Sequence, residues 1–89
     1  MNKDKSSKIF HFPANLTEPE RQIEAILFAA EEPLDVESIK SRMLTKTNVE
    51  KMLESLQRQY KNRGINLISI SGKWSFRTAL NLSKLMNLV

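Results

Sequence analysis

An apolar stripe at helical spacing is the first clear pattern along the chain. Its members are Ile23, Ile26, Leu27 and Ala30. Intervals of three and four residues are typical of the core-facing side of an α-helix. Just ahead of the stripe, Thr17 and Glu20 have the spacing of a capping box, which satisfies the first backbone N–H groups of a helix. The pattern predicts a first helix from about Glu18 to Glu31.

The same helix has a second apolar group, Ala25, Phe28 and Ala29, on its other side. A helix that is apolar on two sides usually packs between two neighbours, and in so small a domain one neighbour can be a second copy. A short apolar arm, residues 9–13, precedes the helix and contains Phe10 and Phe12. We predict that these five residues form a dimer interface. The alternative is that the arm or the carboxy-terminal helix of the same domain covers the group.

Two shorter helices follow. Asp35 stands at a capping position and predicts a second helix from about Val36 to Met43 or Leu44. Thr47, with Glu50 three residues later, predicts the start of a third helix. The third helix has the longest apolar stripe, which consists of Val49, Met52, Leu53, Leu56 and Tyr60. We expect it to end near Lys61, where Gly64 can supply a left-handed stop.

After Gly64 the period of the apolar positions changes from 3.6 towards 2, which indicates a β-hairpin. The predicted strands are residues 65–70 and 74–78, joined by a tight turn at Gly72-Lys73. The side chains expected to lie on the helices are Ile68, Ile70, Trp74 and Phe76. A last helical stretch from about Leu82 ends at Val89 without a polar terminator, which we interpret as a truncation.

Three helices followed by a hairpin and a carboxy-terminal helix predict an α+β, mainly α, winged helix-turn-helix fold. We expect residues 1–17 to be a flexible basic tail with the apolar arm, and residues 18–89 to be the domain. With 89 residues, the chain has room for one modest core. It has no cysteine and no apolar stretch near the roughly 20 residues of a membrane span, so we expect no disulfide, thiolate metal site or membrane contact.

The sequence offers little for catalysis, so we predict no catalytic, metal or cofactor site. His11 is the single histidine, and the two glycines are too few for a phosphate loop or a dinucleotide fingerprint. The acidic pair Glu31-Glu32 falls at a predicted helix end, where solvated carboxylates are common. We therefore expect the protein to act by binding another macromolecule.

The net charge of +4 is distributed unevenly. Residues 18–44 have a net charge of −4 and residues 45–89 a net charge of +6. The basic half favours an alternative function, a DNA-binding transcriptional regulator of the winged-helix class. Its candidate weak DNA contacts are Arg58, Lys61, Arg63, Lys73, Arg77 and Lys84. Glu50 and Glu54 oppose this alternative, because they occupy the part of the third helix that would meet base edges.

Four blocks of the sequence, in order, resemble the first winged-helix domain of the segregation and condensation protein B (ScpB) family. They are residues 26–34, 53–60, 63–67 and 72–79, within a match from about Pro19 to Leu85. The resemblance implies a non-enzymatic subunit of the bacterial condensin in chromosome condensation and segregation, located in the cytoplasm at the nucleoid. It also implies two tandem winged-helix domains, of which the first forms homodimers and the second binds the kleisin ScpA, the partner of the SMC ATPase. The resemblance predicts that this chain contains the first domain only.

Overall fold

The structure, a computed structural model, describes residues 16–88 apart from the side chains of Ser83 and residues 86–88. Its elements, in chain order, are α1 (Glu18–Ala29), β1 (Leu34–Asp35), α2 (Val36–Arg42), α3 (Val49–Gln59), β2 (Ile65–Ile70), β3 (Lys73–Thr78) and a carboxy-terminal 3₁₀ helix (Leu80–Leu88). Three helices thus precede a hairpin, and the predicted α+β winged-helix architecture is confirmed.

The first two helices begin where the sequence predicts. In α1 the Thr17 hydroxyl accepts from the backbone N–H of Glu20, and the Glu20 carboxylate accepts from the backbone N–H of Thr17 at 2.8 Å. In α2 the Asp35 carboxylate accepts from the N–H of Ser38 at 2.8 Å. The predicted end of α1 at Glu31 is two residues too late. Ala30 already has an extended backbone, because the chain must straighten to enter β1.

The boundaries of α3 differ from the prediction at both ends. Asn48, not Thr47, caps the helix, and its side-chain oxygen accepts from the N–H of Lys51 at 3.1 Å. This fits the stronger capping preference of asparagine. At the other end, Tyr60 closes the helix with φ −97° and ψ 3°, before the predicted Lys61. The left-handed stop predicted at Gly64 is wrong, because the positive φ angles of the described residues fall in the hairpin turn.

The sheet has three antiparallel strands in the order β1-β3-β2, so β3 is central. The sequence did not predict β1, because two residues are too few to show a period. The hairpin turn consists of Ser71 (φ 53°) and Gly72 (φ 78°), one residue earlier than predicted. Two successive left-handed residues match the type I′ turn, which suits the twist of paired strands.

The hairpin packs one face against the helices. Leu67 lies opposite Phe76, and Ser69 lies opposite Trp74 on that face. Both aromatic rings are partly buried against the core, as predicted. The prediction for Ile68 and Ile70 is wrong, because side chains alternate along a strand and Leu67 occupies the inner face.

The core lies between α1, α2, α3 and the inner face of the hairpin. Its buried members are Ile23, Leu27, Ile39, Val49, Leu53, Leu56, Tyr60 and Leu67. The predicted carboxy-terminal helical stretch begins at Leu80 instead of Leu82 and has 3₁₀ geometry. Leu82 turns back towards the hairpin, and its side chain comes within van der Waals distance of the space above Gly64.

Candidate interaction surface

The outward side of α1 exposes an apolar surface. Phe28 is 82% exposed, whereas Ile23 on the inward side is completely buried. Ala25 and Ala29, one turn before and one residue after Phe28, are also exposed. The structure therefore brings three of the five predicted interface residues together on one side of one helix. The other two, Phe10 and Phe12, lie outside the described residues.

A buried carboxylate fixes how α1 sits on α3. Glu20 is 4% exposed, and its carboxylate accepts from the Ser55 hydroxyl at 2.5 Å and from the Gln59 side-chain amide at 3.2 Å. Burial raises the pKa of Glu20, but the hydrogen bonds from Ser55, Thr17 and Gln59 together outweigh it and hold that pKa below its ordinary value. The charged form is thus the one that joins the two helices.

A second polar contact lies further along the same two helices. The Tyr60 hydroxyl donates to the Glu24 carboxylate. Burial, with this hydrogen bond and the nearby negative charge, raises the pKa of Tyr60 to about 12. The Tyr60 ring lies 4.9 Å from the Phe76 ring and 5.0 Å from the Arg63 guanidinium carbon. Because Glu20 and Glu24 both engage α3, the orientation of α1 is fixed and Phe28 is directed outward.

Phe28 stands between two hollows. The first, of about 420 Å³, lies between the carboxyl end of α1 and β3. The second, of about 360 Å³, lies between α1 and the start of β2. Ile65, 41% exposed, and Phe76 line both hollows. The first hollow is also lined by Glu31, Glu32 and Arg77. The result is a projecting aromatic ring with a partly charged hollow on one side and a mainly apolar hollow on the other, a shape that a complementary protein surface can fill.

The candidate DNA-contact residues fall into two groups. Arg58, Lys61 and Arg63 lie at the carboxyl end of α3 and just beyond it, and the Arg63 guanidinium lies over the Tyr60 ring. Lys73 and Arg77 lie on the outer face of the hairpin. Lys84 is exposed on the 3₁₀ helix. Glu50 and Glu54 are exposed on α3, nearer its amino end.

The described residues do not assemble a metal site. No group of three or more histidine, cysteine, aspartate or glutamate side chains within residues 16–88 is placed to hold a metal ion. Over the same part of the chain, no helix is long and apolar enough to cross a membrane.

Sequence reasoning missed two features of the surface. One is the pair of inter-helix contacts made by Glu20 and Glu24; the capping box identified Glu20 as an end residue but gave no sign of its partners on α3. The other is an apolar patch on the outer face of the hairpin, where Ile70 is 58% exposed and Leu80 is 89% exposed. The alternation starting from Leu67 is the signal that could have revealed this patch.

Fold and surface together define a class of protein: a winged-helix domain that, over the described residues, has its most exposed aromatic side chain on its first helix. The family model of segregation and condensation complex subunit ScpB matches residues 21–89. The chain belongs to this family, and the resemblance stated from the sequence is confirmed.

A solved structure shares the fold. It is described as the crystal structure of a conserved hypothetical protein from Chlorobium tepidum, and it matches with a TM-score of 0.65 and 23% sequence identity. The match covers 79% of this chain and 46% of the Chlorobium chain, so this chain spans less than half the length of that protein. A comparison of the sequence with curated proteins gives no significant match.

Proposed function

We propose that this domain is a non-enzymatic protein-interaction module of the segregation and condensation complex, and that it pairs with a second copy through the outward side of α1. The observation that carries the proposal is the 82% exposure of Phe28 between two hollows. Large aromatic residues of this kind are typical anchors at the centre of protein interfaces.

Phe28 exposes a large apolar area to water. Burying a phenylalanine side chain completely is worth about 1.5–3 kcal/mol. In a symmetric dimer each copy contributes the same surface, so the two rings act together. Ala25 and Ala29 support this, because small residues beside the ring let a second helix approach closely. The surface has Glu24 at one edge, where Tyr60 already binds its carboxylate.

The proposal extends to the whole protein. A family member contributes to chromosome condensation and segregation together with the kleisin ScpA and the SMC ATPase, in the cytoplasm at the nucleoid. We assign the kleisin contact to a second domain, because the match with this chain covers 46% of its structural neighbour. The role of this domain is then to join two copies of the subunit.

Sedimentation velocity of the purified chain tests the pairing. We expect the chain to be a dimer at ~100 μM, well above the micromolar range of ordinary interfaces. Phe28→Asp should be monomeric at that concentration, because the dimer would have to bury a carboxylate without a partner. The matched control is Leu44→Asp. Leu44 is 90% exposed on the loop between α2 and α3, so this variant adds the same charge away from α1 and should remain dimeric.

Two outcomes would refute the pairing. A wild-type chain that is monomeric at ~100 μM would rule out a dimer of ordinary affinity. A Phe28→Asp variant that dimerises as tightly as the Leu44→Asp control would show that the outward side of α1 is not the interface. Circular dichroism should show that both variants keep the helical content of the wild type.

DNA binding remains the second candidate, at most as weak contact through Arg58, Lys61, Arg63, Lys73 and Arg77. The net charge of +6 on residues 45–89 favours it. The exposed carboxylates of Glu50 and Glu54 on α3 oppose it, because they repel phosphates. A duplex bound more tightly than ~1 μM at ~50 mM salt would favour DNA as the partner, since ordinary nonspecific contact is weaker at physiological salt.

A further inference from the structure

The outer face of the hairpin, which points away from the three helices, carries an apolar patch. We name the three residues Ile68, Ile70 and Leu80 the hairpin patch. Ile70 is 58% exposed and Leu80 is 89% exposed, and all three residues line one hollow of about 530 Å³. The outward positions of a sheet that faces water are ordinarily polar. Aliphatic side chains grouped at such positions therefore indicate a binding surface.

The charge beside the hairpin patch is positive and not neutralised. Arg77 lines the same hollow, and it has no hydrogen bond or ion pair among the described residues. Glu31 and Glu32 line the 420 Å³ hollow together with Arg77, but neither forms an ion pair with it. Residues 55–89 contain six basic and no acidic residues, so this half of the chain supplies no carboxylate for Arg77. A partner with a negative charge at this place would complement it.

The combination of apolar and basic side chains distinguishes this surface from one that binds DNA. Phosphate groups could pair with Arg77, but they would leave Ile70 and Leu80 against a charged backbone. Lys73, opposite Ile70, already faces the carboxylate of Asp35 across the sheet. A protein segment with carboxylates next to aliphatic side chains satisfies both parts of the surface.

The free edge of β2 indicates that such a segment docks as a helix instead of as an added strand. The two-residue hairpin turn makes the carbonyls of Ile65 and Leu67 point away from β3. These carbonyls accept from the side-chain amides of Asn66 and Gln57, each at 3.0 Å. The two amides stand where the N–H groups of a partner strand would be needed. A helix bonds its own backbone internally and requires side-chain contacts only.

We propose that the hairpin patch binds an acidic amphipathic helix of another protein. The aliphatic side of that helix covers Ile70 and Leu80 and fills the hollow, and a carboxylate at its border pairs with Arg77. The proposal does not rest on the proposed dimer, because α1 packs on the other face of the sheet. Its failure leaves the pairing through Phe28 untouched, and the reverse also holds.

NMR titration of the full chain with a synthetic peptide tests the proposal. The peptide has about 15 residues, about 22 Å as a helix, with leucines three and four apart and glutamates elsewhere. We expect saturable binding with a Kd below ~1 mM. The amide signals of Ile68, Ile70, Arg77 and Leu80 should shift, and that of Phe28 should not. A peptide of the same composition with its leucines spread around the helix is the control and should bind about tenfold more weakly.

Variants of the full chain separate the apolar part from the charged part. Ile70→Ser with Leu80→Ser should weaken binding of the leucine-glutamate peptide by about tenfold or more, because two aliphatic side chains are no longer buried. Arg77→Glu should weaken it by about threefold to tenfold, as expected for a charge at the border of an interface. Arg58→Glu makes the same change of charge on α3 and should alter the Kd by less than about twofold. All four positions carry exposed side chains, so the variants should keep the wild-type circular dichroism.

Four results would overturn the proposal. The first is the absence of saturable peptide binding below ~1 mM, which is also the result expected if other residues of the chain cover the patch. The second is an unchanged Kd in the Ile70→Ser, Leu80→Ser variant. The third is a duplex of about 15 base pairs that shifts the same amide signals and binds more tightly than the peptide at ~150 mM salt, because the partner would then be DNA. The fourth is a change in the sedimentation of the Ile70→Ser, Leu80→Ser variant, because the patch would then belong to a contact between copies.

Discussion

The two sides of α1 have similar residue types and opposite environments. On the inward side, Ile23 and Leu27 are buried against α3 and the hairpin. On the outward side, Phe28 is larger than either and is 82% exposed. The difference lies in what covers each side. Glu20 and Glu24, bound to α3, fix which side faces the core.

The contrast shows that one helix can serve the fold and an interface with separate sets of side chains. Burial of an apolar residue depends on the neighbouring element as much as on the residue itself. A variant on the inward side should therefore change the stability of the monomer, and a variant on the outward side should change association. The following measurements test this division, starting with the largest expected effect.

Replacing the completely buried Ile23 by alanine should lower the free energy of unfolding by about 2–5 kcal/mol, because a cavity is left in a close-packed core. Phe28→Ala removes more atoms from an exposed position and should change the free energy of the monomer by less than about 0.5 kcal/mol. Urea unfolding measures both changes in the free energy of unfolding. The protein concentration is kept below the dissociation constant of the proposed dimer, so that the monomer is observed. Equal losses in the two variants would abolish the distinction between the two sides.

Replacing Glu20 by alanine should lower the free energy of unfolding by about 1–3 kcal/mol, because the partly buried Ser55 hydroxyl and Gln59 amide lose their acceptor. Glu54→Ala, on the exposed side of α3, is the control and should have little effect. Urea unfolding of the two variants at neutral pH makes the comparison. If Glu20→Ala has the same free energy of unfolding as the wild type, apolar packing alone orients α1.

The same carboxylate predicts a dependence on pH. Hydrogen bonding holds the pKa of Glu20 in the folded chain below its ordinary value of 4.5. Its contribution is therefore present above that value and is lost as the pH falls through the lower, folded pKa. The stability difference between wild type and Glu20→Ala should accordingly shrink as the pH is lowered below 4.5. A difference that is constant down to full acid unfolding would contradict the charged hydrogen bonds.

The smallest expected effect concerns Tyr60, the only tyrosine of the chain. Tyr60→Phe should cost about 0.5–1.5 kcal/mol, the value of one hydrogen bond. Ultraviolet titration of Tyr60 in the wild type should give a midpoint near 12 instead of 10.0. Because the pKa is higher in the folded chain than in the unfolded chain, the stability that Tyr60 contributes is lost as the pH rises from the unfolded pKa to the folded pKa. A midpoint at 10.0 in the folded chain would show that the hydroxyl is not held by Glu24.

Much of the fold could be predicted because its signals are local. The capping box at Thr17, the cap at Asp35 and the stripe from Val49 to Tyr60 depend on residues within one or two helical turns of each other. The hairpin was recognisable from its change of period. Where local signals compete, as between Thr47 and Asn48, the boundary moved by one residue, since either side chain can cap a helix.

The candidate surface was predictable only as a list of apolar residues. The sequence by itself determined three helices, a hairpin and a second apolar group on the first helix, because helical and strand periods depend on the spacing of apolar residues that are close together in the sequence. Only the tertiary structure decided that Phe28 is uncovered, that Ile68 and Ile70 face away from the helices, and that β1 covers just two residues of β3. Each of these depends on contacts between residues far apart in the chain, and no local pattern records such contacts.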